Sequence, residues 1–323
     1  MLTIFIVGNA VQRDRDSLNT LAASAVVLLI LNPLLIFNVG FQLSYSAVLA
    51  IVLLHRPIYN LLYFKNKLVD KIWSVSVLSL VAQLGTFPIA AHYFHFFPTY
   101  FWLTNLFVMP LSFLIITTGF LFVMVSWIPF VGLFVGEILS FLVYFLNLIV
   151  GAVEYLPYSG LDKLYFPWVK VGLVYLLTGM LFQWIVRKRI RFMLPVLGVA
   201  LILLIMQSLR MYDLTTQKKL IVYQVSQHSS IAFIEGRKQI CLMDTLLLKD
   251  QQKANYQMAN SEVSWGLTRN PFPIDSHIQE DNPDLYVSMG IGSFSDFRFA
   301  VFEEKVWSSE KHTPKIKLDA LIL

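Results

Sequence analysis

Between Asp16 and Arg56 the chain carries no Asp, Glu, Lys or Arg, and only His55 in that run can titrate. A single membrane crossing takes about 20 residues, so a stretch this long must turn back on itself. Asn32-Pro33 and Asn38-Val-Gly40 supply the reversal, because Pro and Gly interrupt helices. The pattern predicts a hairpin of two membrane helices, Leu18 to Leu31 and Phe41 to Leu54. On the second arm Gln42, Tyr45 and Ser46 stand at i, i+3 and i+4 and therefore share one helix face. A polar stripe in an apolar helix turns toward neighbouring helices or a wet cavity, away from lipid.

The rest of the first two-thirds repeats this character. Ile72 to Gly136 is again free of Asp, Glu, Lys and Arg, and the whole chain is 57% hydrophobic and 14% charged. Only a polytopic membrane protein accommodates that distribution. Further crossings are expected from Ile72 to His92, from Phe101 to Val125 with a kink at Pro110, and on to Tyr155. Two more follow, Trp168 to Val186 and Phe192 to Leu209, giving about seven in all. His55-Arg-Pro57 is expected to end the second arm, since the residue before Pro disfavours helix. Met1 to Ala10 lacks a basic leader and a cleavage site, and reads as the end of an earlier crossing rather than a signal peptide.

The net charge of +5 is unevenly placed. Residues 1–209 hold twelve Lys/Arg against six Asp/Glu, and 210–323 hold thirteen against fourteen. The basic surplus thus belongs to the membrane part, where it reports topology. With the crossings alternated, the Arg13 to Asp16 loop, the Arg56 to Lys71 loop and the Arg187 to Arg191 cluster fall on one side, the cytoplasmic one. The Asn38 turn, the aromatic linker Tyr93 to Tyr100 and the Asp162 loop fall on the other, as does everything after Leu209.

Asn32-Pro33 followed by Val39-Gly-Phe-Gln-Leu-Ser-Tyr-Ser-Ala-Val48 resembles the competence signature of the ComEC family. Gln83-Leu-Gly-Thr-Phe-Pro88, Tyr93-Phe-His95, Pro98, Asn105 and Pro110 follow in the family's order, so the likeness covers roughly Arg13 to Leu209. The resemblance implies a multi-pass protein of the inner (plasma) membrane, embedded in the lipid bilayer, that conducts single-stranded DNA in natural transformation. It also implies DNA-receptor and motor proteins as partners. No Gly-x-x-x-x-Gly-Lys-Ser/Thr segment occurs, so a motor must come from elsewhere. In the family a soluble domain and several helices precede the signature, so this chain is expected to be a fragment or a late-starting reading frame.

The passage candidates are the uncharged polar residues of the hairpin, Asn19, Ser24, Gln42, Ser44, Tyr45 and Ser46, joined through the resemblance by Gln83 and Asn105. Aromatic and amide groups suit a strand without reading its sequence; the competing reading is hydrogen-bonded glue between helices. His92 and His95 have no third ligand nearby and read as part of an interfacial aromatic belt. Glu137 and Glu154 sit near helix ends, where snorkelling explains them.

From residue 210 the pattern changes to short β-branched and aromatic runs: Lys219 to Val225, Ser230 to Ile234, Gln239 to Met243, Asp284 to Val287, Phe297 to Phe302 and Lys315 to Leu323. The predicted fold is thus a membrane all-α bundle over 1–209 and a small β-rich soluble domain over 210–323. Val222 to Ile234 with Leu242-Met-Asp244-Thr resembles the opening strand of the metallo-β-lactamase-like domain found in many ComEC relatives. The family's Asp and Gly positions there are Ser, His and Ser, and its His-x-His-x-Asp-His segment would follow Leu323. His228 is expected in a loop and Asp244 in a turn. A degenerate domain without metal, cofactor or hydrolytic chemistry is expected, and Cys241 is the only cysteine. The rival readings are a membrane-tethered metallo-hydrolase and a small-molecule transporter, the latter predicting an internal repeat that is not found.

Overall fold

Hydropathy and chain reversal together build the first unit. Helix α1 (Ser17–Leu31) leads through a 3-10 turn (Pro33–Phe37) into α2 (Val39–Tyr59). The side chain of Asn32 accepts from the Leu34 amide at 3.1 Å and that of Asn38 from the Phe41 amide at 3.2 Å, so both asparagines of the reversal act as helix caps. There follow α3 (Lys67–Phe94), a short strand β1 (Phe97–Pro98), α4 (Phe101–Val125), α5 (Pro129–Glu154), strand β2 (Gly160–Leu161), α6 (Trp168–Arg187) and α7 (Met193–Thr216). The computed structural model describes residues 17–187, 191, 193–225, 228–243, 248, 251–273, 278–279, 285–288, 291–294, 297–301 and 320–322. Met1 to Ala10, the Arg13 to Asp16 loop, Asp244 and residues 188–190 lie outside the described residues. Among the described residues six helices are long and apolar enough to cross a membrane; α1, at 15 residues, is the shorter seventh.

Two boundaries differ from the sequence-based expectation. Helix α2 runs through Pro57 to Tyr59 rather than ending near Leu54. Its last turn is held from outside: the Trp73 indole donates to the Tyr59 carbonyl at 3.0 Å and the Tyr59 hydroxyl to Asp70 at 2.7 Å. Helix α7 continues past Leu209 to Thr216. There the Arg210 guanidinium donates to the Val263 carbonyl at 2.8 Å, and Leu214 is buried, so tertiary contacts extend the helix beyond its apolar stretch.

The aromatic linker also carries more order than an interfacial belt requires. Strands β1 and β2 pair antiparallel, Phe97 opposite Leu161. His95 closes α3 in the left-handed conformation, and its carbonyl accepts from the Leu164 amide at 2.9 Å. Ring nitrogens of His92 and His95 meet the carbonyls of Phe166 and Leu164 at 2.7 and 3.1 Å. The two histidines therefore fasten the end of α3 to the segment that leads into α6.

The chain divides into two compact units between Leu204 and Ile205. In the first, α2 and α3 form the main pair around Ala50, Leu54, Val77 and Val81. Many other large apolar side chains face outward; no residue of α4 is buried, and Phe130 is 90% exposed. In a bilayer such faces meet lipid, which is as apolar as they are.

In the second unit β3 (Lys218–Val225), β4 (His228–Glu235), β5 (Lys238–Met243) and β6 (Thr268–Pro273) form one sheet in that order, with α8 (Gln251–Trp265) connecting the parallel pair β5 and β6. A second sheet joins β7 (Ile278–Gln279), β8 (Leu285–Ser288), β9 (Ile291–Phe294), β10 (Phe297–Val301) and β11 (Ala320–Ile322). Alternation along β4 explains the layering. Ile231 and Phe233 pack with Phe294 and Phe299 of the second sheet, while Ala232 between them packs with Met258 of α8. His228, expected in a loop, opens β4 opposite Val225. Among the described residues no three His, Cys, Asp or Glu side chains come together to hold a metal ion.

Candidate functional site

The site is organised by a glycine. A Cβ added at Gly85 would lie 2.5 Å from the Ala50 Cβ and 2.6 Å from the Ser46 carbonyl oxygen. Only a residue without a side chain lets α2 and α3 approach this closely. The third helix to arrive is α6, whose Tyr175 hydroxyl donates to the Gly85 carbonyl at 2.7 Å. With α1 as the remaining wall, these helices border an open cavity of about 860 Å³.

Asn19, Tyr45, Ser46, Tyr175 and Thr178 supply its polar side chains, and the rest is Leu, Ala, Ile, Phe and the glycines 85 and 179. Ser24 donates to the Leu21 carbonyl at 2.7 Å and so uses its one proton. At 2.9 Å from it, the Tyr45 hydroxyl must therefore be the donor to Ser24. That bond ties α1 to α2, and the ring of Tyr45 stacks near Phe41, with centroids 4.3 Å apart. Ser46 donates back to the Leu43 carbonyl at 3.0 Å, which leaves its oxygen free to accept.

Three of the sequence-derived candidates meet at this cavity: Asn19, which is exposed, and Tyr45 and Ser46 on the opposite wall. The other five do not line it; Ser24 is buried behind it against the Tyr45 hydroxyl. The Gln42 amide donates to the Ile36 carbonyl at 2.8 Å, bracing the 3-10 turn against α2, while its Oε1 is buried without a partner. Ser44 is exposed on another face of α2, and Gln83 is half-buried on α3. Asn105 donates to Ser79 at 2.7 Å and joins α4 to α3. Sequence reasoning passed over Gly85 and Tyr175. Tyr175, Thr178 and Gly179 repeat the i, i+3, i+4 spacing of the Gln42 stripe, a signal that was available on α6.

The lining contains no Asp, Glu, Lys, Arg or His. Such a wall offers aromatic faces and neutral hydroxyls but no fixed charge. It can contact an unpaired base or slide past one, and it has no cation to trap a phosphate. Weak contact of this kind suits passage better than capture.

Residues 1–189 match the family described as Competence protein, and residues 220–323 match the ComEC C-terminal domain. The chain is also similar to ComE operon protein 3 of Bacillus subtilis (strain 168), at 30% identity over 97 residues. That stretch is 30% of this chain and spans 12% of the relative's length. No solved structure matches.

Proposed function

The chain belongs to the ComEC family of competence proteins, and from that premise we propose that it is a component of the inner-membrane channel taking up single-stranded DNA in natural transformation. The observation that supports this is convergence: Tyr45 and Ser46 from the first signature and Gly85 from the second border one cavity between four helices. The strand crosses the multi-pass bundle past neutral hydroxyls and rings, handed over by a DNA receptor outside and drawn by a motor protein inside.

Deletion in the host, with labelled DNA scored separately in periplasm and cytoplasm, tests the role. Cytoplasmic label is expected to vanish while periplasmic label persists. Loss of both, or of neither, overturns the channel reading. The site itself is tested by Tyr45→Phe combined with Ser46→Ala. The lost interhelical bond is worth about 0.6 kcal/mol on average, so membrane abundance is expected to hold while uptake falls. Gln42→Leu is the contrasting variant: it unbraces the turn, so abundance and uptake fall together. A proportional fall of both in the Tyr45/Ser46 variant removes the passage role from this cavity.

The C-terminal unit, in this proposal, is a non-hydrolytic domain. The Asp and Gly positions of the family's opening strand are Ser, His and Ser here, around His228 and Ser230. The purified 323-residue chain is expected to bind no stoichiometric zinc and to leave labelled single-stranded DNA intact with or without added Zn²⁺ or Mn²⁺. Metal-dependent cleavage overturns it.

A further inference from the structure

The basic end of the α2–α3 pair holds charge that the subunit itself leaves unused. Arg56 is the only Asp, Glu, Lys or Arg in α1 and α2. Lys65, Lys67 and Lys71 follow it, and all four cations are exposed. Among the described residues none of these four side chains has a hydrogen-bond or ion-pair partner. Asp70, the only acid between Asp16 and Glu137, instead accepts from the Tyr59 hydroxyl at 2.7 Å. That bond sets the first turn of α3 against the last turn of α2, so Lys67 and Lys71 stand at the same end as Arg56. In the connecting loop Tyr63 is 87% exposed, whereas Phe64 packs edge-on against Trp73 with centroids 6.1 Å apart.

Position separates Arg56 from an ordinary orientation signal. Tyr45, Ser46, Leu49, Ala50, Leu53 and Leu54 are the α2 residues that border the cavity. At about 100° per residue they cover an arc of roughly 180° around the helix, and Arg56 falls inside it, about 20° from Tyr45. Along the axis it lies about 16 Å beyond Tyr45, at the end of α2 away from the Asn38 turn. The positive-inside tendency accounts for a cation in this loop, but not for one on the cavity face. The neutral wall gives the phosphates of a strand no counter-charge, and the first cation along that face of α2 is Arg56. Its guanidinium can donate to two oxygens of one phosphate, and the lysines can neutralise neighbouring ones. The open ring of Tyr63 offers a base a stacking surface. An anionic lipid headgroup matches the lysines equally well, but binding one does not call for a cation on the cavity face. A nucleic-acid strand is the occupant this position favours.

We propose that Arg56, with Lys65, Lys67, Lys71 and Tyr63, forms a phosphate- and base-binding site for the single strand as it leaves the cavity. This rests on the channel reading and adds to it the place where the strand is held. The full chain in nanodiscs of neutral phosphatidylcholine is titrated with fluorescent oligothymidine over a range of salt concentrations. Wild-type affinity is expected to fall as salt rises. Arg56→Gln is expected to lessen the magnitude of the log–log salt slope by about 0.7, the share of one contact to a single strand, and Arg56→Lys to restore it. Tyr63→Ala is expected to weaken binding about fivefold or more at unchanged slope. Because Arg56 is exposed and three lysines remain to hold orientation, membrane abundance of Arg56→Gln is expected to hold while cytoplasmic uptake per molecule falls. Wild-type binding with an unchanged slope in Arg56→Gln overturns the site; the channel reading then still stands, since host deletion decides it separately. No binding by the wild type also overturns the site. So does an Arg56→Gln chain that loses only its enrichment of anionic phosphatidylglycerol, which assigns these cations to the membrane.

Discussion

Gly85→Leu is expected to abolish accumulation of the protein in the membrane. The first atom of any side chain at this position falls 2.5 Å from the Ala50 Cβ and 2.6 Å from a backbone oxygen of α2. Backbone cannot yield as a flexible side chain can, so α2 and α3 must separate. Separation opens the Ala50, Leu54, Val77 and Val81 contact and pulls the Gly85 carbonyl from Tyr175. Overpacking a core typically costs ~1–3 kcal/mol; the added Leu atoms and the lost contacts carry this variant beyond that, against a total stability of only about 5–15 kcal/mol. Gly85→Ala is expected to be milder but still defective. Adding Ala50→Gly to it removes one of the two clashes and leaves Ser46, so rescue should be partial. Immunoblot abundance and thermal aggregation in detergent report this series. Wild-type abundance for Gly85→Leu contradicts the close approach.

Alkaline phosphatase fused after Leu323 is expected to be active, and the same enzyme inserted in the Lys65 to Lys67 segment to be silent. Two independent features of the chain lead to this expectation. By the positive-inside tendency, Arg56, Lys65, Lys67 and Lys71 are expected on the cytoplasmic side. Pairing then tests the alternation: β1, after α3, is hydrogen-bonded to β2, after α5, and His95 bonds to Leu164. Loops that pair must share a side of the membrane, and two crossings, α4 and α5, separate them in sequence, as alternation requires. Activity differs between the two fusions by the full on–off range of the reporter. An active loop fusion with a silent C-terminal one reverses the orientation.

The C-terminal unit marks where local reading stops. Runs such as Lys219 to Val225 and Gln239 to Met243 announce β3 and β5 by composition alone. Helix α8 does not announce itself: Gln251 to Trp265 is largely polar, and it is placed by burying Met258 and Val263 under the sheet. Strand β6 contains Pro271 and Pro273, which argue against a strand; it forms at the sheet edge, where a missing amide can face outward.

Hydropathy is additive along the chain, so the sequence by itself determined that this protein crosses a membrane repeatedly, roughly where each crossing lies and which loops are basic. The competence signature was likewise visible from Asn32 to Pro110. Which polar residues act together was decided only by tertiary structure. Gln42, Tyr45 and Ser46 share a helix face, yet Gln42 turns back to Ile36 while Tyr45 and Ser46 border the cavity with Tyr175. That partition depends on the near-contact of Gly85 with Ser46 and Ala50, residues far apart in sequence. Helical periodicity assigns a side chain to a face, but the packing of the neighbouring helices determines what that face meets.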